Sequence, residues 1–109
     1  MWIAEQPVVF LHPNGARKDG HIAFGAPYRG ETGDWRCPVS LKGFEGRGPD
    51  IVGDTSLQAL LLATRFAGYR LYDFCERGGR VLYPSVDGEP DAEVPLEASF
   101  GPLLCHPPE

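Results

Sequence analysis

Cysteine is scarce in this chain of 109 residues, with three in all, at Cys37, Cys75 and Cys105. An odd number, widely spaced, argues against a disulfide framework and for a reducing, cytoplasmic setting. No apolar run approaches the roughly 20 residues of a membrane span, and no charged-then-apolar leader is present, so neither a transmembrane helix nor a signal peptide is expected. Internal repeats are lacking as well. Lys and Arg are missing from residues 86–109, which carry six acidic residues (Asp87, Glu89, Asp91, Glu93, Glu97 and Glu109), whereas residues 1–85 carry ten basic and nine acidic ones. The formal charge of −5 therefore resides in the C-terminal segment. It disfavours nucleic acid or an anionic membrane as partner. The segment reads as a solvated tail, or as an arm that docks on basic groups of its own domain or of a partner.

What is present fits one domain with one modest core. The hydrophobic fraction is 42%, and 14 glycines and 11 prolines require many turns and extended segments. Val8-Val9-Phe10-Leu11, followed by His12-Pro13-Asn14-Gly15, predicts a strand over about 4–12, a tight turn, and a second strand over about 16–26. Pro7 belongs at a strand start or on an edge, because it cannot donate to a ladder. Over 34–42, Trp35, Cys37, Val39 and Leu41 alternate with Arg36, Pro38, Ser40 and Lys42, which predicts a third strand with its polar face toward water. Pro38 places that strand at an edge or at a bulge. A short fourth strand is expected over 80–84.

One long helix is predicted over 55–77. Thr55 with Gln58 forms a capping-box pattern, and Gly78-Gly79 supplies the stop. At 100° per residue, Leu57, Leu60, Leu61, Ala63, Thr64, Ala67, Gly68, Leu71, Phe74 and Cys75 share one arc, expected to lie on the sheet. Leu62, Phe66 and Tyr69 align on the far side, which makes them the candidate interaction surface. The expected fold is α+β: an antiparallel meander of three or four strands with one helix across a face, residues 1–84, followed by an acidic, proline-rich extended arm, 85–109. The arm is expected to fold back with Phe100 or Leu103 against Phe66, or the helix stripe to meet a second copy or another protein.

Asp34-Trp-Arg-Cys-Pro-Val-Ser-Leu-Lys-Gly, followed by Gly53-Asp-Thr-Ser-Leu-Gln-Ala-Leu-Leu-Leu-Ala, resembles a domain-of-unknown-function family of small bacterial proteins with a G-x-D-W-x-C-P-V strand and an S-L-Q-A-L helix start. The resemblance covers roughly residues 4–84. It implies a bacterial origin and a shared small α+β fold, and it brings no catalytic residues. Immunity or adaptor proteins of this size offer an analogy from size and fold alone.

Chemistry-bearing groups are few. Cys37 and Cys75 map to apolar faces and read as buried thiols. Cys105-His106 with His12 or His21 has no recognised zinc spacing, and no metal or cofactor is expected. The glycines 43, 46 and 48 lack the Gly-Lys-Ser/Thr ending of a phosphate loop. No Ser or Cys lies at a local spacing from His12 or His21. The leading expectation is a non-enzymatic protein that binds a protein partner or itself. The other is a small-molecule or enzymatic site at the sheet edge near His12, His21, Asp34 and Arg36, which would require a polar pocket there.

Overall fold

The computed structural model describes residues 2–86 and 88–101. In chain order these form β1 (Trp2–Leu11), β2 (Arg17–Gly25), β3 (Tyr28–Arg29), β4 (Trp35–Cys37), β5 (Val39–Leu41), β6 (Gly46–Arg47), β7 (Ile51–Gly53), α1 (Ser56–Glu76), β8 (Arg80–Leu82) and α2 (Leu96–Phe100). The α+β architecture is the expected one, with antiparallel pairing throughout and one long helix on the sheet. The strands are distributed over two sheets, β6-β5-β2-β1-β8 and β3-β4-β7.

Pro38 divides them. The single strand expected over 34–42 becomes β4, which pairs with β3 and β7, and β5, which pairs with β2 and β6. Without an N–H, Pro38 cannot continue a ladder on both sides. Its carbonyl still accepts from the Gly25 N–H at 2.9 Å, so the chain changes sheets at this residue.

α1 starts as its sequence directs. The Gln58 N–H donates to the Thr55 hydroxyl at 3.0 Å, and the Gln58 amide oxygen accepts from the Asp54 N–H. Gly78, at φ 97°, ends the helix with its N–H on the Cys75 carbonyl. The helix meets the sheets through a row of small side chains. Ala59, Ala63 and Ala67 are fully buried beside Leu71 and Phe74, and a Cβ on Gly53 would lie 2.6 Å from the Ala59 nitrogen. This close approach rotates the buried arc away from the expected one. Leu57 and Leu61, assigned to the core by angle, are 63% and 56% exposed.

The acidic segment docks on its own domain. Tyr83 N–H donates to the Ala92 carbonyl and Val94 N–H to the Val81 carbonyl, so residues 92–94 line the outer side of β8. Arg17 pairs with Asp91 at 3.1 Å and Arg80 with Glu93 at 2.6 Å. Both pairs are solvent-exposed and contribute little energy. Leu96 and Phe100 of α2 pack on the core cluster. Leu103, Cys105 and His106, named above as arm and ligand candidates, lie outside the described residues.

Candidate functional site

Strand parity sorts the five-stranded sheet into two faces. Val8, Phe10, Ile22, Phe24, Val39 and Leu41 face α1 and form the core. Glu5 pairs with Ala23, Ala23 with Ser40 and Ser40 with Arg47, so these four share the opposite, outer face, together with His21. The register brings three groups into one chain of hydrogen bonds: Ser40 Oγ lies 2.7 Å from His21 Nε2, and His21 Nδ1 lies 2.6 Å from Glu5 Oε2. A carboxylate only accepts, so Nδ1 carries a proton. In the neutral ring Nε2 is then the acceptor, and the Ser40 hydroxyl donates to it. The polar face of the third strand was expected to meet water, yet Ser40 is 4% exposed. The Trp2 ring stands edge-on to His21 at 5.5 Å, and the Arg47 guanidinium lies over Trp2 at 5.8 Å. These side chains lie on the same face as the buried Ala23 and Ser40.

Arg47 continues the network to Asp50 at 3.0 Å, and Asp50 also accepts from the Tyr28 phenol. Burial opposes the Asp50 charge, but the Tyr28 and Arg47 hydrogen bonds outweigh it and hold the carboxyl below its ordinary pKa. The folded state therefore releases this proton more readily than the unfolded chain. The resulting stability is present above the unfolded value, about pH 4, and is lost as pH falls through the lower folded value. Urea unfolding of Asp50→Asn is expected to show a smaller loss between about pH 6 and about pH 3 than the parent chain. An equal loss would mean that Asp50 does not carry this dependence.

On the α1 side, β1 borders an open groove of about 540 Å³. Ile22, Phe24, Leu60 and Val94 contribute its apolar lining, and Ile3, Leu61 and Tyr83, all more than one-third exposed, stand at its margins. The groove exists because β8 pairs with β1 only at Val9–Leu11. Its edge is partly closed by the strand itself. The His21 N–H points to the carbonyl of Lys42, just past β5, at 3.0 Å, so the backbone of Pro7, opposite His21, faces outward. Pro7 has no N–H to offer, and its carbonyl accepts from the Gln6 amide at 2.8 Å. Glu5, two residues back, presents an outward N–H and carbonyl.

Of the four residues of the expected edge site, only Asp34 and Arg36 are brought together, at 3.4 Å. His12 Nε2 bonds to the Gly43 carbonyl at 3.0 Å, and its ring lies 5.2 Å from Phe74, on the core side. His21 is on the outer face. Asp34 serves a turn, accepting from Thr32 and Arg36; the Thr32 hydroxyl first, then Arg36, hold its pKa down against desolvation. On α1, Phe66 is 37% exposed, whereas Leu62 and Tyr69 are half-buried. No group of three or more His, Cys, Asp or Glu able to hold a metal occurs among the described residues, and no helix among them is long and apolar enough to cross a membrane. Ser40 and Glu5 went unnoticed in the sequence because nothing local links them to His21; only the strand register does.

The sequence model of the family described as Domain of unknown function (DUF6968) matches residues 9–92. No curated protein and no solved structure matches the chain. The matched span includes His21, Ser40 and all of α1, whereas Ile3, Glu5 and α2 lie outside it.

Proposed function

The chain belongs to the family described as Domain of unknown function (DUF6968), and from its geometry we propose that it is a protein-binding, adaptor-like module that receives an extended apolar segment of another protein. The observation that carries this reading is the apolar groove beside the unpaired half of β1. A short partner strand gains two main-chain hydrogen bonds from Glu5, and its alternate side chains enter the groove between Leu60, Leu61 and Phe100. Pro7 and Gln6 limit the pairing to a few residues, so the apolar side chains supply most of the affinity. Leu62, Phe66 and Tyr69 form a second flank in this proposal, suited to self-association. A cytoplasmic setting agrees with the buried thiol of Cys37.

Panning a displayed library of random peptides against the protein tests the groove. Enriched peptides are expected to carry alternating apolar residues, to lose binding to Leu61→Asp, and to retain it with Phe66→Asp. The reverse pattern would shift the contact to the Leu62/Phe66/Tyr69 flank. A concentration-independent hydrodynamic size is also expected; a dimer disrupted by Phe66→Asp would favour self-association.

A further inference from the structure

We propose that Ser40 is a nucleophile activated by His21, with Glu5 as its positioning residue, and that this second site, on the sheet face opposite the groove, accepts an acyl ester. The three groups stand in the order that nucleophilic hydroxyl chemistry requires. With the His21 ring neutral, Ser40 Oγ–H donates to Nε2 at 2.7 Å and Nδ1–H donates to Glu5 at 2.6 Å. The carboxylate fixes the ring tautomer and stabilises the imidazolium that forms when Ser40 loses its proton. Arg47 stands directly opposite Ser40 in the β5–β6 ladder, with its guanidinium shared between Asp50 and the Trp2 ring.

The bland account is a hydrogen-bonded serine that merely ties β5 to β2. Two features go beyond it. A lone serine on this face needs one acceptor, and a neighbouring carbonyl would suffice, whereas this one bonds a histidine that a carboxylate orients. The face also carries side chains, Trp2 and Arg47, rather than packed backbone. The Trp2 ring crosses the sheet to reach His21, and it is held there by an edge contact at 5.5 Å and by the Arg47 guanidinium. Movement of that ring uncovers the Ser40–His21 pair. Trp2 and Glu5 both belong to the half of β1 that no β8 residue pairs with, so the ring sits on the less supported part of the sheet.

In the reaction, Ser40 Oγ adds to the acyl carbon while its proton passes to His21 Nε2. Collapse of the adduct breaks the ester C–O bond, and the departing alcohol takes the proton from His21. Water then attacks the acyl-serine by the same proton route and restores the hydroxyl. No further reactant is required.

A fluorophosphonate is the test probe: Ser40 Oγ bonds to phosphorus, fluoride leaves, the hydroxyl proton goes to His21, and the adduct persists for mapping by mass spectrometry. Labelling of the full chain is expected at Ser40, faster in Trp2→Ala and about a hundredfold slower in His21→Gln. Glu5 is exposed on its side chain, so Glu5→Gln keeps the fold measurable; it is expected to slow labelling while leaving the urea midpoint close to that of the parent, and Glu5→Asp to recover part of the rate. Absence of an adduct at Ser40 in a natively folded Trp2→Ala protein overturns the proposal. So does labelling at Ser40 that is indifferent to His21→Gln or, if that variant does not fold, to Glu5→Gln.

Discussion

Phe10→Ala is expected to lower the unfolding free energy by about 3–5 kcal/mol. Phe10 is fully buried in β1. Its ring lies 5.5 Å from Phe74 of α1, edge-on, and 5.8 Å from Phe44 in the β5–β6 turn. Phe44 and Phe74 are themselves 4.6 Å apart, and His12 closes on Phe74 at 5.2 Å. One side chain thus joins the longest strand, the helix and the turn that carries His12's acceptor, Gly43. Truncation removes the transfer energy of the ring and leaves a cavity that elements from three parts of the chain must close together. A domain of this size holds about 5–15 kcal/mol in all, so the loss is a large share of it. The melting temperature is expected to fall by about 15 °C or more. Urea unfolding monitored by far-ultraviolet circular dichroism measures it, and a loss below about 1 kcal/mol would mean that the aromatic cluster is not the centre of the core.

Gly20→Ala is expected to cost at least as much, for a different reason. A Cβ at residue 20 would stand 1.6 Å from the Lys42 carbonyl oxygen and 2.5 Å from its carbon. That oxygen accepts the His21 N–H at 3.0 Å and holds β2 to the end of β5. A Cβ has no rotamer to change, and the obstacle is backbone, so the two strands must part at this point. The damage should also reach the outer face, since His21 is the next residue and Ser40 lies on the strand that is pushed away. Gly48→Ala is the control: a Cβ there meets nothing within 4 Å, and its effect should stay within about 0.5 kcal/mol. Similar midpoints for the two variants would show that the strand ends move apart at little cost.

These contacts separate what a sequence makes legible from what it does not. The helix was readable because its signals are local: Thr55 and Gln58 lie one turn apart, and Gly78 ends it with a positive φ. Pro7 at an edge was readable because a missing N–H restricts a residue wherever it falls. The burial of the helix was misread at Leu57 and Leu61, because an angular projection weighs size and apolarity, whereas the sheet accepts the side that approaches most closely. That side carries Ala59, Ala63 and Ala67. The change of sheet at Pro38 was half visible: proline announced an interruption, but only its pairing partners show that the chain leaves one sheet for the other. The Glu5–His21–Ser40 chain was invisible, since three strands contribute one residue each and a one-residue slip of any of them would turn a member to the other face.

The uneven cover of β1 has a consequence for the order of assembly. Val8-Val9-Phe10-Leu11 is the most apolar part of the strand, and the segment that pairs with it, Arg80–Leu82, follows only after the whole of α1. On a growing chain the hairpin of β1 and β2 can close early, but the outer side of Val9–Leu11 stays open to other chains until α1 and β8 have emerged. Pro7 and the Gln6 amide guard the half of the strand that β8 does not cover in the finished sheet; the half that waits has no such guard. Crowding of nascent chains would therefore favour mispairing at Val9–Leu11, and slow synthesis through α1 would lengthen the exposure.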